Sequence, residues 1–114
     1  MINNPSISSE MIANNLEPDS PTHPGEVLKE EIEVRGISQK KFAAQIGIQY
    51  TVLNEILNCK RQINVQFAML VEAALGIDAE FWVSMQTRYN MMTAKKDKSF
   101  ARRLAHIRKT AAIT

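Results

Sequence analysis

Residues 38–58 read SQKKFAAQIGIQYTVLNEILN, and the spacing within this stretch decides the fold. Phe42, Ala43 and Ile46 recur at helical period before Gly47-Ile48, and Leu53, Ile56 and Leu57 do so after it. Neither segment can bury a face alone, so the two must pack on each other steeply. That crossing makes strict local demands. Ala43 must be small where the axes approach, and Gly47 must accept a positive φ in the turn. Phe42, Ile46, Ile48, Leu53 and Ile56 must fill the wedge between the helices. All seven positions comply. This is the helix-turn-helix pattern, whose second helix enters the DNA major groove. An ordinary helical hairpin in a bundle is the competing reading.

The outward positions sharpen the first reading. Gln49, Tyr50, Thr51 and Asn54 fall at the N-terminal end and on the non-core face of the second helix, from about Gln49 to Asn58. An amide side chain pairs with adenine in two-point fashion, and a hydroxyl reaches phosphate or base edges. Gln39 opens the first helix, where its amide and the helix N-terminus face a phosphate. Ser38 is mainly a cap. Lys40, Lys60 and Arg61 add positive charge to the same surface. Glu55 is the only acid between residues 36 and 62, leaving a local balance of +3. Tyr50 reads equally well as a packing residue over the turn.

Working outward, Thr22-His23-Pro24-Gly25-Glu26 is a helix start. Val27, Leu28, Ile32 and Val34 supply a stripe up to Arg35, and Gly36 stops it. Glu30, Glu31 and Glu33 occupy the solvated face. Beyond the polar loop Cys59-Lys60-Arg61-Gln62, Asn64 caps a helix with Phe67, Leu70, Val71 and Leu75 inward, ended by Gly76. Asp78 caps another, from Ala79 to about Met92. No β-strand pattern appears, so the fold class is all-α: five helices over residues 22–92. Residues 1–21, rich in Asn, Ser and Pro, read as a flexible acidic arm, with a short helix from about Ser9 to Asn15 as the alternative. Residues 93–98 read as a charged linker. Phe100, Leu104 and Ile107 at i, i+4, i+7 then make a basic amphipathic C-terminal helix within residues 93–114.

A chain of 114 residues and 12.9 kDa holds one domain and excludes a two-lobed enzyme. The net charge of +2 divides into −3 over residues 1–21, −1 over residues 22–92 and +6 over residues 93–114. The basic tail favours an anionic partner. No run of 18 apolar residues exists to span a membrane. The N-terminus is acidic where a signal peptide starts basic, so the expected setting is cytoplasmic. The single cysteine, Cys59, excludes an internal disulfide or multi-thiolate site, and His23 and His106 lie far apart. Neither metal nor cofactor is expected. No nucleophile–base pair, carboxylate pair or phosphate-cradling loop can be assembled; His106 with Cys59 is the nearest approach, and catalysis is not expected.

The runs HPGEVLKEEI (23–32), GISQKKFAAQIG (36–47), NEILNxKR (54–61) and LGIDAEFW (75–82) together resemble the HigA-type antitoxins of bacterial toxin–antitoxin modules, within the lambda-repressor-like (XRE) helix-turn-helix proteins. The resemblance covers about residues 22–92. It implies a lambda-repressor-like domain that binds the operator of its own operon and represses it. It also implies sequestration of a ribosome-dependent, mRNA-cleaving toxin of the HigB/RelE type. On the same ground Thr51 and Asn54 are expected to meet bases, and Lys60 and Arg61 phosphates. Two departures matter. Val52 stands where relatives often carry Arg, so a base contact from that position is lost. Cys59 stands where relatives usually carry Gly, which leaves Asn58 to supply the left-handed cap.

Trp82, Met85, Tyr89 and Met92 recur at 3, 4, 3 spacing, a seam of coiled-coil type. Trp82 belongs to the core; Met85, Tyr89 and Met92 are the expected dimer face. One helix-turn-helix makes too few contacts to select a site in a genome. A homodimer with recognition helices about 34 Å apart would read a palindromic operator in double-stranded DNA. The alternative function is a free-standing XRE-family repressor with no toxin partner. A further possibility is that the basic tail contacts partner or nucleic acid rather than covering apolar surface.

Overall fold

The chain is described by a computed structural model over residues 21–113. His23 caps the first helix, α1 (Pro24–Val34): its backbone is extended, and its imidazole Nδ1 accepts from the Gly25 N–H at 2.9 Å. Pro24 sits at the first helical position, where its missing N–H has no cost. Burial pushes the His23 pKa below the ordinary 6.5, against a smaller opposing pull from the Glu26 carboxylate. The unfolded chain therefore takes up the proton first as pH falls. The histidine-linked stability is complete above about 6.5 and is lost as pH drops through the lowered folded value. A urea-unfolding midpoint is expected to fall between about pH 7 and about pH 5. His23→Asn keeps a capping acceptor and is expected to flatten that dependence; an unchanged slope in the variant would refute the assignment.

Ser38 Oγ accepts from the Lys41 N–H at 3.1 Å and starts α2 (Gln39–Ile46), which Gly47 ends at φ 73°. Next comes α3 (Tyr50–Leu57), then α4 (Val65–Leu75), capped by Asn64 Oδ1 on the Phe67 N–H at 2.8 Å. Helix α5 (Ala79–Lys96) and helix α6 (Lys98–Ile113) follow. No strand occurs among the described residues, and the chain is all-α. Helix α3 packs on both α1 and α2, and α2 also packs on α4. Their common core holds Leu28, Ile32, Phe42, Leu53, Val71 and Trp82, all fully buried. Each such side chain contributes about 1.5–3 kcal/mol of burial free energy. Gln86 is the buried polar side chain that sequence reading overlooked. Its Oε1 accepts from the Ile63 N–H at 2.9 Å, pinning the loop before α4 to α5.

Several expectations need correction. Val34 is 79% exposed because it lies two residues past Ile32, off the α1 stripe. Leu70 is on the rim of its helix: α4 turns Phe67, Ala68, Val71 and Leu75 inward, and the small Ala68 takes the core position. Residues 93–96 are no linker, since they extend α5 past Met92. Ala94 is a strong helix former, and Lys95 and Lys96 suit a helix C-terminus. The break is confined to Asp97, whose Oδ1 accepts from the Phe100 N–H at 3.1 Å and starts α6.

The left-handed residue after α3 is Cys59 itself, at φ 64°, while Asn58 stays at φ −96°. The turn closes with Cys59 N–H on the Ile56 carbonyl and Lys60 N–H on the Glu55 carbonyl, at 3.0 and 2.8 Å. That pattern places the left-handed conformation one residue past the cap, at about 1–2 kcal/mol for a residue with a β-carbon.

Residues 22–87 form one compact unit. Residues 88–113, the second half of α5 with α6, belong to another, in which Met91, Ala94, Phe100, Leu104, Lys95 and Arg108 line a groove of about 410 Å³. The acidic arm and the helix considered for Ser9 to Asn15 lie outside the described residues, apart from Pro21. No helix among the described residues is long and apolar enough to cross a membrane.

Candidate nucleic-acid interface

Helix α3 commits Leu53, Ile56 and Leu57 to the core, which leaves its opposite face and its N-terminal end uncovered. Gln49 is the backbone cap of α3, yet its side chain makes no capping bond and stays exposed. Thr51 is exposed at the second position of α3. Tyr50 is 40% exposed, with the Lys40 ammonium 5.7 Å from its ring centroid. A cation over an aromatic ring at that range is attractive by about 0.5–1 kcal/mol. The pair holds Tyr50 at the α2–α3 corner with part of its ring open.

Asn54 is half-buried in the angle between the two helices. Its Nδ2 donates to Gln39 Oε1 at 3.1 Å, and its Oδ1 accepts from Asn58 Nδ2 at 3.1 Å. Gln39, at the first position of α2, is thereby linked to the middle of α3. Sequence reading placed Gln39 and Asn54 on one surface but missed their bond and the third amide. The i, i+4 spacing of Asn54 and Asn58 was the available signal.

Lys60 and Arg61 are exposed in the loop after α3. Arg61 is engaged with Glu55: Nη2 lies 2.7 Å from Oε1 and Nε donates to the same oxygen at 2.9 Å. The pair is half exposed, so it contributes little to stability. It also offsets one of the cations counted toward this surface. Gln39, Lys40, Gln49, Tyr50, Thr51, Asn54 and Asn58 form one continuous corner of polar side chains, with Lys60 and Arg61 beyond the end of α3.

Backbone sterics hold this corner in place. A β-carbon built on Gly25 would lie 1.8 Å from the Ile56 carbonyl oxygen, so α1 meets the last turn of α3 backbone to backbone. Elsewhere, Met85, Tyr89 and Met92 are half-buried along α5, while Trp82 is wholly buried, with Phe81 edge-on to it at 5.0 Å between centroids. No cluster of three or more His, Cys, Asp or Glu suited to a metal occurs among the described residues. Burial raises the Cys59 pKa, which disfavours a thiolate.

Comparison with known proteins agrees with this geometry. A family described as helix-turn-helix matches residues 28–82. Virulence-associated protein I of Dichelobacter nodosus is 35% identical over 77 residues, covering 67% of this chain and 71% of that protein. An addiction module antidote protein of a HigA family from Coxiella burnetii shares the fold with a TM-score of 0.65 and 31% identity, over 69% of this chain and 87% of that one. Pseudomonas aeruginosa antitoxin HigA, solved with the higBA promoter, superposes with a TM-score of 0.68 at 26% identity, over 75% and 92% of the two chains.

Proposed function

The chain belongs to the HigA-type antitoxin family of helix-turn-helix proteins, and from that premise we propose that it is a DNA-binding antitoxin that represses its own operon. The family is one of regulators and antitoxins rather than enzymes. The observation that carries the proposal is the α2–α3 corner. Two eight-residue helices cross at Gly47 and turn polar residues outward from α3. In this reading Thr51 and Asn54 meet base edges, with Gln49 and Tyr50 beside them. Gln39, Lys40, Lys60 and Arg61 hold phosphates. A homodimer, with Met85, Tyr89 and Met92 as its face, sets two α3 helices one DNA turn apart over a palindromic operator.

The second half of the proposal is neutralisation of an mRNA-cleaving toxin of the HigB/RelE type. It is supported by the HigA-family and antitoxin descriptions of the similar structures. Footprinting the purified protein on its own upstream region, with and without the adjacent gene product, tests both halves. A protected inverted repeat and a co-purifying small basic protein are expected. Protection without any such protein would reduce the function to a free-standing repressor. No protection would reject the DNA reading.

Asn54→Ala is expected to weaken operator binding by about 1–3 kcal/mol with the fold intact. Lys60→Ala is expected to weaken all duplexes alike and to lower the salt slope by about one. Fluorescence-anisotropy titrations over a salt series measure both. A folded Asn54→Ala variant with full affinity and sequence preference would reject α3 as the recognition helix.

A further inference from the structure

We infer that the apolar groove between the end of α5 and α6 is the seat of this chain's own acidic arm. The occupant is the stretch around Met11 and Ile12, in residues 1–20, which lie outside the described residues. Met91, Ala94, Phe100 and Leu104 give the groove its apolar lining, and both of its charged residues, Lys95 and Arg108, are cations. Met91 is 55% and Phe100 41% exposed, and no side chain among residues 88–112 is buried. Open apolar surface of this kind marks a site of contact. Helix α6 has 16 residues, close to the length at which an isolated helix is marginal in water. It therefore gains from a cover over the face it shares with α5.

Charge says what that cover is. Residues 93–114 carry +6, with Asp97 as their only acid, so the groove calls for a segment that is apolar and acidic together. The arm supplies both. Glu10, Glu17 and Asp19 stand among Ile7, Met11, Ile12 and Leu16, and residues 1–21 contain no Lys or Arg. Docked, the arm buries Met11 and Ile12 against Met91 and Phe100 and offsets half of the tail's charge.

A second copy paired through the proposed dimer face would leave the groove open. At about 3.6 residues per turn, Met91 and Ala94 lie largely opposite Tyr89 and Met92 around α5. An acidic segment of another protein would have to bind unaided. A tethered segment instead meets its site at an effective concentration of about a millimolar, so contacts too weak for a free partner suffice. The tether is long enough. Ile12 stands ten residues before Thr22, a reach of about 33 Å fully extended, against about 27 Å for the whole of α5.

Nuclear magnetic resonance of the full-length, isotope-labelled protein tests this. Short-range contacts are expected from the Ile12 methyl groups to the Phe100 ring and the Met91 methyl. They are expected within one chain, so a mixture of differently labelled copies shows none across copies. Ile12→Ser is expected to speed amide exchange across residues 98–108 about tenfold, through the loss of one buried aliphatic side chain. An arm reversed in charge by Glu10→Lys and Glu17→Lys is expected to speed it as well. Amides of α2 to α4 keep their rates in both variants, which separates undocking from general unfolding. Both changes lie in the arm, so neither alters the groove itself.

Contacts seen only between copies would mean that a second chain fills the groove, and would overturn the inference. Exchange unchanged in either variant would overturn it too, as would an Ile12 methyl with no contact to Phe100 or Met91.

Discussion

Gly25→Ala is expected to destabilise the protein by about 3 kcal/mol or more, against the ordinary sign of that substitution. In a helix, alanine normally improves on glycine by up to about 1 kcal/mol. Here the added methyl would lie 1.8 Å from the Ile56 carbonyl oxygen and 2.8 Å from its carbon. Both are backbone atoms and cannot swing aside as a side chain would. Overpacking of this kind costs about 1–3 kcal/mol and sometimes more, and relief requires moving α1 away from the last turn of α3. DNA binding is expected to weaken in the fraction that stays folded, since Asn54 lies only two residues before Ile56. Thermal melts and duplex titration at low temperature measure the two effects. A melting temperature equal to or above that of the parent would show that the close approach is absent.

Trp82→Ala is expected to cost about 3–5 kcal/mol, the range for removing a large buried aromatic. For a domain of this size that lowers the melting temperature by roughly 15 °C or more. Trp82 is completely buried, and its loss opens a cavity in the core shared with α1 to α4. Trp82→Phe separates volume from polarity. The indole Nε1 is buried without a hydrogen-bond partner, a state that costs about 1–3 kcal/mol. Phenylalanine removes that orphan donor while keeping most of the apolar volume, so it is expected to cost no more than about 1 kcal/mol. Circular-dichroism melts of the two variants decide the matter. Equal losses in both would mean that the indole is needed for more than filling space.

The legible parts of this chain were those set by short-range sterics. Ser38 before Gln39 and Gly47 after Ile46 mark both ends of α2 by their own conformational preferences, and both lie where the pattern put them. The outward placement of Gln49 and Thr51 follows from the same period that buries Leu53 and Ile56. Helix α4 was harder, because VQFAMLVEAAL is apolar on nearly every side. Periodicity alone did not choose Ala68 over Leu70, yet Ala68 is the one fully buried. The Gln39–Asn54 bond joins residues 15 apart across a helix crossing and depends on an angle that no local rule supplies. His23, the polar residue before Pro24 in the predicted helix start, is the cap, with its Nδ1 as the acceptor. Gln86 carries no local signal of burial, because its partner, the Ile63 N–H, lies 23 residues away.

The Ile56 carbonyl oxygen lies beneath the space where Gly25 lacks a side chain and also receives the Cys59 N–H. One atom thus ties together two positions separated by 34 residues. In the descent of such proteins these sites are not free to drift alone. A bulkier residue at the first would push on the oxygen that steadies the turn at the second, and a lineage altering either would inherit pressure to adjust the other.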